Sequence, residues 1–189
     1  MPSLAPTRHP WPSAAHRPQP RPAPARRLLA PVEDELSVLC RRLGAWQSGT
    51  QPPTSAWHDI LPPLSVHLFL TASQLLPLWR ELCADTRSVD RAEVRLELLR
   101  GLTEQALGAG EHDPMADARC AVLAEELQRH QLRNTVLLRA LDAAADADRL
   151  RALVAVWLHE GERLRRAQRR GQPVVMDNED ADPVGHAPR

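Results

Sequence analysis

From about residue 30 to residue 170, apolar side chains recur every third or fourth position, the period of a helix that buries one face. Val32, Leu36, Leu39, Leu43 and Trp46 predict a first helix over 30–47, ended by the breaker run SGTQPPTS. Ile60, Leu64, His67, Thr71, Leu75, Leu78 and Leu82 predict a second, with the Pro62-Pro63 pair suited to its first turn. A third follows Ser88, a candidate N-cap, and presents Arg95, Leu98, Leu99, Leu102 and Ala106 before the GAG run. A fourth starts near Pro114 and carries Cys120, Leu123, Leu127, His130, Asn134, Leu137, Leu138 and Leu141. A last segment, 146–170, carries Leu150, Leu153, Val154, Trp157, Leu158 and Leu164.

No stretch gives a strand signal and none forms a Gly-rich phosphate loop, so the expected class is all-α and P-loop or dinucleotide-binding enzymes are excluded. Long helices joined by short loops imply an antiparallel four-helix bundle, with an extra C-terminal helical segment packed outside it.

Two stretches break the apolar pattern in the same way. LSVHLFLTASQLLPLW, Leu64 to Trp79, centres His67, and LQRHQLRNTVLLRAL, Leu127 to Leu141, centres His130. Aligned on the histidines, Leu64 matches Leu127, Leu75 matches Leu138, Leu78 matches Leu141, and Thr71 matches Asn134. Residues four apart lie one above the other on a helix face, so such a pair can reach one metal ion in a bundle core. The same spacing suits a local hydrogen bond from each histidine to Thr71 or Asn134. That bond would spare a buried imidazole the ~1–3 kcal/mol cost of lacking a partner. Neutral, locally satisfied histidines are the expected arrangement.

Over about residues 30–165, these motifs resemble the hemerythrin-like (HHE cation-binding) family of four-helix bundles. There, two helices each carry a His, a Glu four residues later and a Pro about ten residues after the His. HLFLTASQLLP has His67 and Pro77 but Thr71 in place of the Glu, and HQLRNTVLLRA has His130 but Asn134 and Ala140 in place of Glu and Pro. The resemblance implies a further histidine on the first helix, where the stripe reads Val32, Leu36 and Leu39, with Asp34 and Glu35 off it. It implies another on the third helix near Glu93, Val94 and Arg95, where an inward Arg95 would put a permanent cation beside any metal. His67 and His130 are therefore the only candidate metal ligands in register. A di-iron site wants several carboxylates to neutralise the ion, and a neutral shell of His, Thr and Asn does not provide them. A single ion held by His67, His130 and an inward Glu93 or Glu97 is a further alternative.

Composition narrows the remaining chemistry. All 24 basic residues are arginine, 24 acidic residues balance them, and the formal net charge is zero, so no global charge favours nucleic acid or an anionic membrane. No run approaches the ~18 apolar residues of a membrane span, and the arginine- and proline-rich start lacks a signal peptide's apolar core, so a cytoplasmic protein is expected. Cys40, Cys83 and Cys120 form no CxxC and read as buried free thiols. Residues 1–27 form an expected disordered Pro/Arg-rich arm, 28–170 the helical domain, and 171–189 a disordered acidic tail.

The other histidines (His9, His16, His58, His112, His159 and His186) are scattered, and no catalytic triad follows from them. Trp11, Trp46, Trp57, Trp79 and Trp157 are expected to close bundle ends and interhelical gaps rather than to line a ligand pocket. The basic run GERLRRAQRR is expected to be a solvated helix end. The combined expectation is a non-enzymatic hemerythrin-like domain with an eroded iron site and no cofactor, acting as a structural or regulatory interaction protein. The alternative is a working non-haem iron protein for oxygen or nitric oxide binding or redox sensing. A protein partner is left open, and the oligomeric state is not specified by the sequence.

Overall fold

The computed structural model describes residues 27–48, 59–83, 85–109 and 113–171. Apart from Arg27 and Gly171, the expected N-terminal arm and acidic tail lie outside the described residues, as do His9, His16, His58, His112, His186, Trp11 and Trp57. Among the described residues the chain is all-α and has five helices. They are α1 (Ala30–Gln47), α2 (Leu61–Leu82), α3 (Thr86–Ala109), α4 (Ala116–Ala144) and α5 (Ala147–Arg169).

Local chemistry sets the helix ends. The backbone N–H groups of Asp148 and Arg149 donate to Asp146, which caps α5 two residues after α4 ends. Asp113 accepts the N–H of Met115 just before α4. The cap of α3 is Asp85, whose carboxylate receives the Ser88 backbone N–H and hydroxyl. The expected cap, Ser88, instead sits inside the first turn, because a carboxylate three residues upstream reaches the free N–H groups first.

Pro77 explains the irregularity in α2. It has no N–H, and its ring would crowd the carbonyl four residues back. The turn before it, Thr71–Leu75, opens into a π-helical turn in which the Leu76 N–H reaches back five residues to the Thr71 carbonyl.

Helix α1 packs most extensively on α4 and also touches α2 and α5; α3 lies against both α2 and α4, and α5 rests on α2. By length and composition α2 would be able to cross a membrane, which the sequence reading did not anticipate, but over half of that stretch is buried in the fold. The stripes on α1 and, apart from half-buried Leu137, on α4 are buried as expected, but Leu98 on α3 and Leu158 on α5 point outward, 51% and 53% exposed. Each lies beside a residue that took the inward place, Leu99 and Trp157.

The core has two apolar clusters. One gathers Leu36, Leu39, Leu43, Leu64, Leu123 and Leu127; the other gathers Val32, Leu70, Leu75, Leu138, Leu141 and Trp157. On α1, α2 and α4 the stripe passes from one cluster to the other near Glu35, His67 and His130 respectively. The polar residues thus form a belt between two apolar halves.

Candidate polar site in the core

His67 is fully buried, and its environment differs from the expected one. Thr71 donates its hydroxyl to the His67 backbone carbonyl (2.9 Å), not to the imidazole. The ring instead meets Trp157 of α5 edge-on, with centroids 5.2 Å apart. Its Nδ1 lies 3.7 Å from Glu35 Oε2, an ion-pair distance longer than a hydrogen bond. The expected His67–Thr71 pairing is therefore replaced by a contact with α1 and α5.

Glu35 is the residue that the sequence reading set aside as lying off the stripe. Its side chain, 19% exposed, points into the seam between α1, α2 and α5. Trp157 Nε1–H donates to Oε2 (2.9 Å), and the Arg165 guanidinium holds Oε1. Burial alone would raise the Glu35 pKa. The His67 imidazole, the indole N–H and the Arg165 charge outweigh burial and bring it down to about 2. Trp157, Gly161 and Arg165 follow one another at four-residue intervals on one face of α5. Gly161 lies between the other two on that face, and a Cβ there would meet Leu70 Cδ1 and the Arg165 guanidinium at 3.4 Å, an ordinary contact. That spacing, with a buried indole needing an acceptor, is a sequence signal that could have pointed to an acidic partner such as Glu35.

The second histidine has no such partners. His130 Nε2 and both polar atoms of Asn134 are buried without a hydrogen bond, so the expected His130–Asn134 pairing does not form. Burial, reinforced by the nearby charges of His67 and Arg133, lowers the His130 pKa to about 4 and keeps the ring neutral near pH 7. His130, Asn134 and Thr71 line a cavity of about 350 Å³ between α2, α3 and α4. Trp79 also lines it, with its buried indole N–H unpartnered. Arg91, Arg95 and Arg133 complete the lining, which includes no acidic side chain.

The other candidates lie elsewhere. Glu93 is turned outward to Arg80, and Glu97 is exposed, so neither completes a site with the histidines. His159 is 78% exposed on α5. The arginines at the end of α5 are paired along their own helix, Arg163 with Glu160 and Arg166 with Glu162, as a solvated helix end requires. Cys40 and Cys120 are buried, and burial pushes their thiols up to about 12 and about 11, which leaves them unreactive, whereas Cys83 is half-buried.

The donor set does not fit a di-iron centre. Among the described residues no group of three or more His, Cys, Asp and Glu side chains is placed to hold a metal ion. The one carboxylate near His67 already has a guanidinium on one oxygen and an indole N–H on the other. No family model, curated protein or solved structure matches the chain.

Proposed function

We propose that the protein is a hemerythrin-like four-helix bundle, formed by α1 to α4 with α5 packed outside, whose metal site has been replaced by an internal ion pair. It works by binding a partner or ligand, in a regulatory or structural role, and not by catalysis. The observation that carries this reading is the Glu35–Arg165 pair beside His67. A guanidinium is permanently charged, so it supplies to that carboxylate the positive charge that a metal ion would otherwise bring. Arg95, which lines the cavity with His130, repels a cation on the other side of the belt. Exposed apolar pairs on neighbouring helices, Val94 with Leu98 and Leu132 with Val136, offer a surface for a protein partner.

Purified protein from iron-replete cells tests the reading. It should be colourless, contain well below one iron per chain, and keep its thermal midpoint in the presence of a chelator, because a ligand bound only to the folded state would raise that midpoint. Near-stoichiometric iron with a charge-transfer band would instead establish the iron-binding alternative. Replacing Thr71→Glu and Asn134→Glu together should still yield no iron, since the α1 carboxylate, Glu35, is already held by Arg165 and the Trp157 indole and Arg95 lies beside His130.

A further inference from the structure

The cavity between α2, α3 and α4 combines three features that together specify a ligand. Its inner wall carries polar groups that are more than nine-tenths buried and lack hydrogen-bond partners: the Trp79 indole N–H, the Asn134 amide and His130 Nε2. Burying such groups unpaired costs stability; their atoms are covered by the wall, so a ligand reaches the N–H donors among them only by displacing neighbouring side chains. Arg91, Arg95 and Arg133 also line the cavity, and among the described residues none of the three is in an ion pair. Apart from Thr71 and Ser88, the rest of the wall is apolar, with Leu76, Leu96 and Leu137 among its residues.

We propose that this cavity binds a small organic carboxylate, with the arginines and the Trp79 and Asn134 N–H groups taking its oxygens and the leucines packing its hydrocarbon part. An indole N–H is only a donor, and a guanidinium offers a planar fork of donors, so both select an acceptor-rich anion. A volume of about 350 Å³ suits a single small molecule and is too small for a peptide helix. No acidic residue lines the cavity, although the Asp85 carboxylate interacts with Arg91 from outside the lining, which leaves Arg95 and Arg133 as the main anion-binding charges. The proposal rests on the metal-free reading of His130, and it gives the regulatory role its ligand.

The test uses the full chain with benzoate and benzamide, which have nearly the same shape and differ in charge. Calorimetry should show saturable benzoate binding that weakens with salt, and benzamide should bind at least about tenfold more weakly. Arg95→Gln with Arg133→Gln, both at accessible positions, should fold as judged by circular dichroism and bind benzoate at least about tenfold more weakly. Trp79→Phe should lower benzoate affinity while keeping the apolar packing. Equal binding of acid and amide would overturn the proposal. So would unchanged benzoate affinity in the arginine variant, or no saturation by ~10 mM benzoate. Inorganic phosphate that competes as well as benzoate would also overturn it, by showing an anion site indifferent to the hydrocarbon. Iron measured on the same preparation separates the two readings. Bound iron refutes the metal-free site, whereas loss of acid–amide discrimination refutes the ligand.

Discussion

His67 lies against Glu35 and Trp157, with Arg165 on the other oxygen of Glu35, whereas His130 and Asn134 line a cavity that arginines also line. The two histidines share one polar belt, occupy matching places in their helices, and are both almost completely buried. They differ in what the neighbouring helix brings. On the α5 side, a carboxylate, a cation and an indole N–H close into a compensated cluster around Glu35, while both His67 ring nitrogens stay without a hydrogen bond and Nδ1 has only the ion-pair contact with Glu35. On the α3 side, the neighbouring helix contributes Arg91 and Arg95 and no carboxylate, so the polar atoms stay unpartnered and the wall stays open to a cavity. Partners, rather than burial itself, decide whether a core polar group stabilises the fold or costs it stability.

Both sides depend on the same apolar framework, and its failure has the largest expected effect. Leu127 is fully buried just below His130. Leu127→Asp would bury an unpaired charge and should cost at least ~4 kcal/mol, enough to unfold a domain of ordinary stability. Arg129→Asp, two residues on and half-exposed, should cost no more than about 1 kcal/mol by losing its ion pairs with Glu125 and Glu126. Similar thermal midpoints for the two variants would show that the phase of α4 is wrong.

Next in size is the compensated cluster. Glu35→Ala strands Arg165 and the Trp157 N–H at once, and should lower stability by about 3 kcal/mol in chemical denaturation. Pairing Glu35→Ala with Arg165→Leu, which removes both charges, should recover part of that loss. If Glu35→Ala is no more costly than a surface change, the cluster is not the stabilised half of the belt.

Acid separates the two halves by pH. Both groups have folded-state pKa values below their unfolded ones, so the unfolded chain takes up protons first and stability falls as pH drops. For His130 the loss begins near pH 6.5 and is complete near its folded value of about 4. By pH 5 it should amount to roughly 2 kcal/mol. For Glu35 the loss begins near 4.5 and continues down to about 2. Denaturant melts from pH 7 to pH 3 should therefore show two successive slopes. His130→Leu should flatten the upper one alone, and a His130→Leu profile that matches the wild type between pH 6.5 and 5 would contradict the assignment.

The legible part of this architecture was the part governed by periodicity. The helix over 30–47 is observed as Ala30–Gln47, and the stripe from Cys120 to Leu141 is buried apart from half-buried Leu137, because a three-to-four residue period says directly which face turns inward. His67 and His130 were legible for the same reason. What the sequence did not reveal is what comes from another helix. Glu35 reads as off the stripe when α1 is considered alone, and it becomes a buried partner only because α5 brings Trp157 and Arg165 across to it. The cavity was hidden too: Arg95 read as inward on its own helix, but nothing in the pattern of α3 or α4 alone brings Arg91 and Arg133 beside it, and only the packing of α3 against α4 places the three around Asn134.

The smallest expected effect has the opposite sign, and it tests the uncompensated half directly. Asn134 is 1% exposed and forms no hydrogen bond through its amide. Leucine matches it in heavy-atom branching, carries no polar atom to desolvate, and has the neighbouring cavity to take its larger volume. Asn134→Leu should therefore leave stability unchanged or raise it by up to about 1 kcal/mol, where a satisfied buried amide would instead lose about that amount. The same substitution should weaken benzoate binding, since it removes N–H donors from the cavity wall. A gain in stability coupled to a loss of affinity is what a site held open for a ligand should show. A clear loss of stability would mean that Asn134 belongs, like Glu35, to a closed polar network.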